Sequence, residues 1–225
     1  MRSCVAEFIG TFALVFAGTA AIIVNDVTGG LVTHVGIALT FGLIIMSMIY
    51  AVGDISGAHF NPAVTVAFWA ARLFPGRQVL PYLASQVGGA LAASVILKFL
   101  FPGHETLGAT IPVGSEGQSF VMEIILTFFL MFVILNVATG AKEKGIMAGS
   151  AIGAVVALEA LFAGPVSGAS MNPARSLAPA LVSGHLDSLW IYLAAPVIGA
   201  IIAVPGCRCI KEEGCCSDME KAGCL

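Results

Sequence analysis

Ser56-Gly57-Ala58-His59-Phe60-Asn61-Pro62-Ala63-Val64-Thr65 is echoed by Ser167-Gly168-Ala169-Ser170-Met171-Asn172-Pro173-Ala174-Arg175-Ser176, 172 − 61 = 111 residues later. Asn before Pro reads as a helix start. Asn is a good N-cap, and Pro at the first helical position gives up an N–H that would have no partner anyway. Each copy therefore marks a helix whose positive end lies at its Asn. A duplicated motif in a strongly apolar chain implies two copies of one membrane-embedded unit.

The rest of the chain fits that unit. Of its 225 residues, 58 % are hydrophobic and only 10 % are charged, which excludes an ordinary soluble domain. Six apolar segments, at roughly 4–24, 31–52, 81–101, 119–139, 147–165 and 188–206, are each long enough to span a bilayer core, which takes about 20 helical residues. The 26 glycines suit close packing of membrane helices. The fold class is an all-α membrane protein in contact with the lipid bilayer.

A second echo sets the architecture. Glu7-x-x-x-Thr11-Phe12 recurs as Glu123-x-x-x-Thr127-Phe128, 123 − 7 = 116 residues later. The membrane-embedded part, 1–206, therefore divides into repeats at about 4–101 and 119–206, each with three spans. Three is odd, so the halves cross the membrane in opposite senses, as inverted repeats do around a central pathway. The segments after the motifs, about 61–71 and 172–182, are too short to span. Ten residues at ~1.5 Å each cover about half of a ~30 Å hydrocarbon core. Two half-helices from opposite faces then meet with their N-termini facing. Gly53 to Phe60 and Pro165 to Met171 are expected to run without helical hydrogen bonds, which membrane depth tolerates only where backbone is buried in protein or lines a cavity.

Charge sets orientation. Arg2, Arg72, Arg77, Lys142, Lys144, Arg208, Lys211 and Lys221 fall on one side of a six-span arrangement, and the loops on the other side lack Lys and Arg. Both termini are expected in the cytoplasm, in a plasma or inner membrane. Cys207, Cys209, Cys215, Cys216 and Cys224 crowd a predicted tail, 207–225, where thiols stay reduced. Cys207, Cys209, Cys215 and Cys216 together are a speculative soft-metal or metalloid ligand set, against the simpler reading of a solvated terminus. His34, His104 and His185 are too scattered for a metal site. No phosphate-cradling loop or basic patch for nucleic acid appears, and nothing points to a cofactor or an enzyme.

Asn61-Pro62-Ala63 and Asn172-Pro173-Ala174 in inverted halves, the second followed by Arg175, resemble the aquaporins (major intrinsic protein family) over about residues 4–206. The resemblance implies a passive channel for water and small uncharged solutes that excludes protons and ions, assembled as a homotetramer. It implies that Asn61 and Asn172 offer N–H groups to passing oxygens at the positive ends of two half-helix dipoles. It assigns Phe41, Ala160, Ala169 and Arg175 to a selectivity ring, Glu7 and Glu123 to support of the re-entrant loops, and His59 to the pore lining. An intramembrane charge such as Arg175 is in any case a functional candidate.

Departures from the family pattern narrow the reading. Water-selective members usually carry His where this chain has Ala160, and glycerol facilitators typically carry Asp where it has Ser176. Tyr192-Leu193 replaces the aromatic pair common in water channels. The combination is similar to the nodulin-26-like branch and its bacterial relatives, which implies passage of glycerol and metalloid hydroxides such as arsenous acid. A strictly water-selective aquaporin and a coupled secondary transporter are the alternatives. Glu159, beside Ala160, has three open placements: a loop cap, a subunit contact or the pore wall.

Overall fold

Among the described residues, eight helices form where the apolar runs and the two Asn-Pro pairs put them. The computed structural model describes residues 1–138 and 146–210. In chain order they are α1 (Arg2–Val27), α2 (Thr33–Ser56), α3 (Pro62–Ala70), α4 (Gly76–Leu100), α5 (Glu116–Ala138), α6 (Ala148–Ser167), α7 (Pro173–Ser183) and α8 (Leu189–Ile210). The six long ones are apolar enough to cross a membrane. The 9 residues of α3 and 11 of α7 reach only about 14 and 17 Å at ~1.5 Å per residue. Lys142 and Lys144 lie outside the described residues.

The inverted repeat is visible in the packing. The main helix pairs are α1 with α4, α5 with α8, and α2 with α6 across the two halves. Between helices in lipid, no hydrophobic drive brings backbones together, so close approach depends on small residues. A Cβ on Gly89 of α4 would collide with the Phe8 carbonyl of α1, and one on Gly199 of α8 with the Ile124 carbonyl of α5. Those carbonyls belong to the residues just after Glu7 and Glu123. Thus both repeats use one glycine to bring the carboxylate-bearing helix against the third span.

Three boundaries differ from the sequence reading. First, α2 continues to Ser56 and α6 to Ser167, so only 57–61 and 168–172 are non-helical. Gly57 (φ 80°) and Gly168 (φ 83°) close these helices in the left-handed conformation, and their N–H groups bond to Gly53 and Gly164 carbonyls. Second, Pro165 does not end α6. It lacks the N–H that the Leu161 carbonyl would accept, and His34 Nε2 of α2 lies 2.6 Å from that oxygen instead. Third, α8 extends to Ile210, which places Cys207 and Cys209 inside a helix. Cys207 is buried in the core, Cys209 is exposed, and Cys215, Cys216 and Cys224 lie outside the described residues. The four-thiol set of the sequence reading thus lies partly outside the described residues.

Candidate pore

The two half-helices meet through their caps. Asn61 Oδ1 accepts from Ala63 N at 2.9 Å, and Asn172 Oδ1 accepts from Ala174 N at 3.0 Å and Arg175 N at 3.3 Å. Each side-chain nitrogen then donates across to the other half. Asn61 Nδ2 bonds to the Met171 carbonyl at 2.7 Å and Asn172 Nδ2 to the Phe60 carbonyl at 2.9 Å. An amide nitrogen carries two hydrogens. One locks the repeats together, and the second is left over at the junction. Each Asn is both a cap and a clasp.

The residues that offer those carbonyls are strained. Phe60 (φ 48°) and Met171 (φ 54°) sit in the left-handed region, as do Ala58 (φ 51°) and Ala169 (φ 42°). Bulky side chains avoid that region, and such a conformation persists only when its surroundings over-determine it. Here the surroundings are two buried carboxyl groups. Glu7 accepts from Ser56 Oγ (2.8 Å), His59 N (2.9 Å), Phe60 N (2.7 Å) and Gln86 Nε2 (2.8 Å). Glu123 accepts from Ser167 Oγ (2.7 Å), Ser170 N (2.9 Å) and Met171 N (2.8 Å). Phe60 and Met171 are thus held at the N–H by a carboxyl group of their own repeat and at the C=O by the Asn of the other. Tyr82 and Tyr192 complete the frame by donating to the Ser56 and Ser167 carbonyls at 2.9 and 2.6 Å.

A cavity of about 120 Å³ runs past this junction, with room for several water molecules. Residues 57–61 and 169–172 of the two loops line one part, and apolar residues such as Ile45, Leu130, Ile134 and Val156 line much of the rest. The mixture is a polar strip in a greasy wall. Phe41, Ala160, Ala169 and Arg175 all border it. Arg175 is buried, its Cζ lies 5.0 Å from the Phe41 ring centroid, and its NH1 donates to the Gly108 carbonyl at 2.8 Å. No carboxylate lies within ion-pair distance of it among the described residues. His59 also borders the cavity. Its ring stacks on Phe68 at 4.7 Å, and its Nδ1 lies 3.0 Å from Thr65 Oγ1.

The major intrinsic protein family profile matches residues 1–205. The chain belongs to the major intrinsic protein family. It is 54 % identical to Aquaporin NIP1-3 of Oryza sativa subsp. japonica, over 89 % of this chain and 70 % of that one. Nodulin-26 of Glycine max is 50 % identical over 89 % of this chain and 74 % of its own. Among solved structures, the aquaglyceroporin from Plasmodium falciparum superposes with a TM-score of 0.82 at 26 % identity, covering 91 % of this chain and 93 % of that one. As a major intrinsic protein with an axial cavity, the chain is a multi-pass membrane channel for passive movement of water and small solutes.

Two residues, Gln86 and Thr110, carry no motif in the sequence yet take part in the network. Gln86 Nε2 bridges Glu7 and Thr65 Oγ1, the latter at 2.9 Å; a lone amide in an apolar span was its only signal. Thr110 Oγ1 donates to Ser176 Oγ at 2.8 Å, so Ser176 ties the loop before α5 to the second motif. Glu159 is 3 % exposed, outside the cavity lining, and neither carboxyl oxygen has a hydrogen-bond partner among the described residues, so it neither caps a loop nor lines the cavity there.

Proposed function

We propose that this channel passes small uncharged hydroxylated solutes, of the glycerol and arsenous acid type, as well as water. The observation that carries this reading is that Ala160 and Ala169 line the same cavity as Phe41 and Arg175. Two ring positions carry only a methyl group, which leaves width and an apolar wall for a carbon skeleton. Arg175 supplies N–H donors for solute hydroxyls and a fixed positive charge that repels cations. Asn61 and Asn172 each present their remaining N–H to the file. A water that accepts both has its own hydrogens turned away from its neighbours, which interrupts proton hopping. The centre therefore holds neutral amides rather than a titratable site, and this favours a channel over a coupled transporter. Glu7 and Glu123 hold the re-entrant loops, and His59 lines the inner half.

The same reading places both termini in the cytoplasm, since Arg2, Arg72, Arg77 and Arg208 gather at one end of the spans. It makes the working unit a homotetramer in a plasma or inner membrane. A monomer in native mass spectrometry would sink that assembly. Stopped-flow flux of water, glycerol and arsenous acid through proteoliposomes tests the ring. Ala160→His should depress the two solutes roughly tenfold or more, since a narrowed pocket discriminates by about 10–200-fold, while water flux is largely kept. Equal loss for all three would remove Ala160 from the constriction.

A further inference from the structure

We infer that His104 is a positioning residue for Arg175, acting through the loop between α4 and α5 and sensitive to external acid. The inference rests on the ring reading above and adds to it a control point that Arg175 itself does not contain. His104 Nδ1 accepts from Leu107 N at 3.0 Å, and its Nε2 lies 3.2 Å from Asp26 Oδ2 at the end of α1. An imidazole nitrogen that accepts an N–H carries no hydrogen, so these two partners fix the neutral tautomer with its proton on Nε2. The next bonds lead straight to the pore. Leu107 is fully buried against Ile23 and Leu97, and Gly108 (φ 72°) lies against Thr19, where a Cβ would stand 3.0 Å from the Thr19 Cβ. The Gly108 carbonyl is the acceptor for Arg175 NH1. Only three residues of tightly turned loop, braced by Ala109 N donating to Thr106 O at 3.0 Å, separate the imidazole from the arginine's anchor.

A second proton on His104 would go to Nδ1 and point at the Leu107 N–H. Two donors then face each other, and a buried backbone N–H loses its acceptor. The turn opens, the Gly108 carbonyl leaves NH1, and the guanidinium turns toward the water file for a replacement acceptor, obstructing it. The elements packed around the loop carry few other charges. Asp26 on α1 is within ion-pair distance of His104, whereas Lys98 in the last turn of α4, His185 just beyond α7 and the neighbouring Glu105 are not.

The test uses the full chain in proteoliposomes, with glycerol and water flux measured from about pH 8 to about pH 5 outside, the range in which histidine titrates. Wild type is expected to lose glycerol flux roughly tenfold on the acid side, the ratio that one lost hydrogen bond to a charged group carries. His104→Asn keeps an oxygen where Nδ1 stands and cannot titrate, so it should conduct like neutral wild type at every pH. His104→Ala should behave like acid wild type throughout. The inference is overturned by a wild type that conducts equally across the range, or by an acid limb that survives in His104→Asn. It is also overturned if folded His104→Ala conducts fully. If His104→Ala fails to reconstitute, the His104→Asn profile decides alone. A wild type that conducts nothing even at neutral pH is a different failure, that of the channel reading.

Discussion

Removing the Glu7 carboxyl group should dismantle the entry to the first half-helix. Glu7 is fully buried and takes four donors, but they are not equally dependent on it. Gln86 Nε2 keeps Thr65 Oγ1, and the Ser56 hydroxyl can rotate. The N–H groups of His59 and Phe60 have no other acceptor. In Glu7→Ala, two orphaned backbone donors at about 1–3 kcal/mol each cost about 2–6 kcal/mol. That is a large part of the roughly 5–15 kcal/mol by which folded proteins are usually stable. The clamp on the left-handed Phe60 goes too, so its carbonyl can swing away from Asn172 Nδ2 and open the clasp between repeats. Glu7→Gln is the graded control. Its oxygen can serve Phe60 and Gln86 while its NH₂ faces the Ser56 hydroxyl, which can accept, and this leaves about one orphan, at about 1–3 kcal/mol. Thermal unfolding in detergent and stopped-flow water flux should rank wild type above Glu7→Gln and Glu7→Ala last, with flux lost in Glu7→Ala. A Glu7→Ala protein that melts with Glu7→Gln and conducts like wild type would refute the account.

Two further substitutions probe residues that the sequence left open or passed over. Glu159→Leu removes a buried carboxyl group with no partner, whose burial costs on the order of 1–3 kcal/mol; the variant should melt no lower than wild type and conduct normally, and a folded variant with tenfold less flux would show that the carboxyl group serves the pore. His34→Ala strips the Leu161 carbonyl of the donor that substitutes for the missing Pro165 N–H, so the melting temperature should fall by the equivalent of about 1–3 kcal/mol. His34→Gln should restore part of that loss, and an unchanged melt for His34→Ala would argue against the contact.

The spans and half-helices were legible because each depends on local pattern. Apolar length marks the spans, and Asn-Pro marks a helix start wherever it occurs. Helix ends were less legible because Gly57 and Gly168 look like loop residues, whereas in the left-handed conformation they terminate a helix that has already run through Gly53 and Pro165. The Asn61–Met171 and Asn172–Phe60 clasps could not be read from sequence spacing, since each joins residues about 110 positions apart through one backbone carbonyl. The same holds for His34 and for the Gly108 carbonyl. A backbone acceptor leaves no residue-type signal, so only its donor can be noticed.

Matching positions in the two repeats divide into kept and broken pairs. Gly57 with Gly168, Ala58 with Ala169 and Asn61 with Asn172 are identical, and Phe60 with Met171 shares its strained backbone. These residues shape the re-entrant loops, a task that is the same in both halves. Symmetry fails where side chains meet the pathway. Val64 stands opposite Arg175 in the alignment, and His59 opposite Ser170. The first repeat's loop thus acquires an imidazole stacked among Phe68, Phe74 and Tyr82. The second repeat's half-helix acquires a buried guanidinium over Phe41. This polarity cannot make a passive pore conduct a neutral solute preferentially in one direction, because without an energy source the net flux follows the gradient. On the proposed reading it decides which molecules pass, and that decision falls at the Arg175 end, where the only buried side-chain cation among the described residues stands.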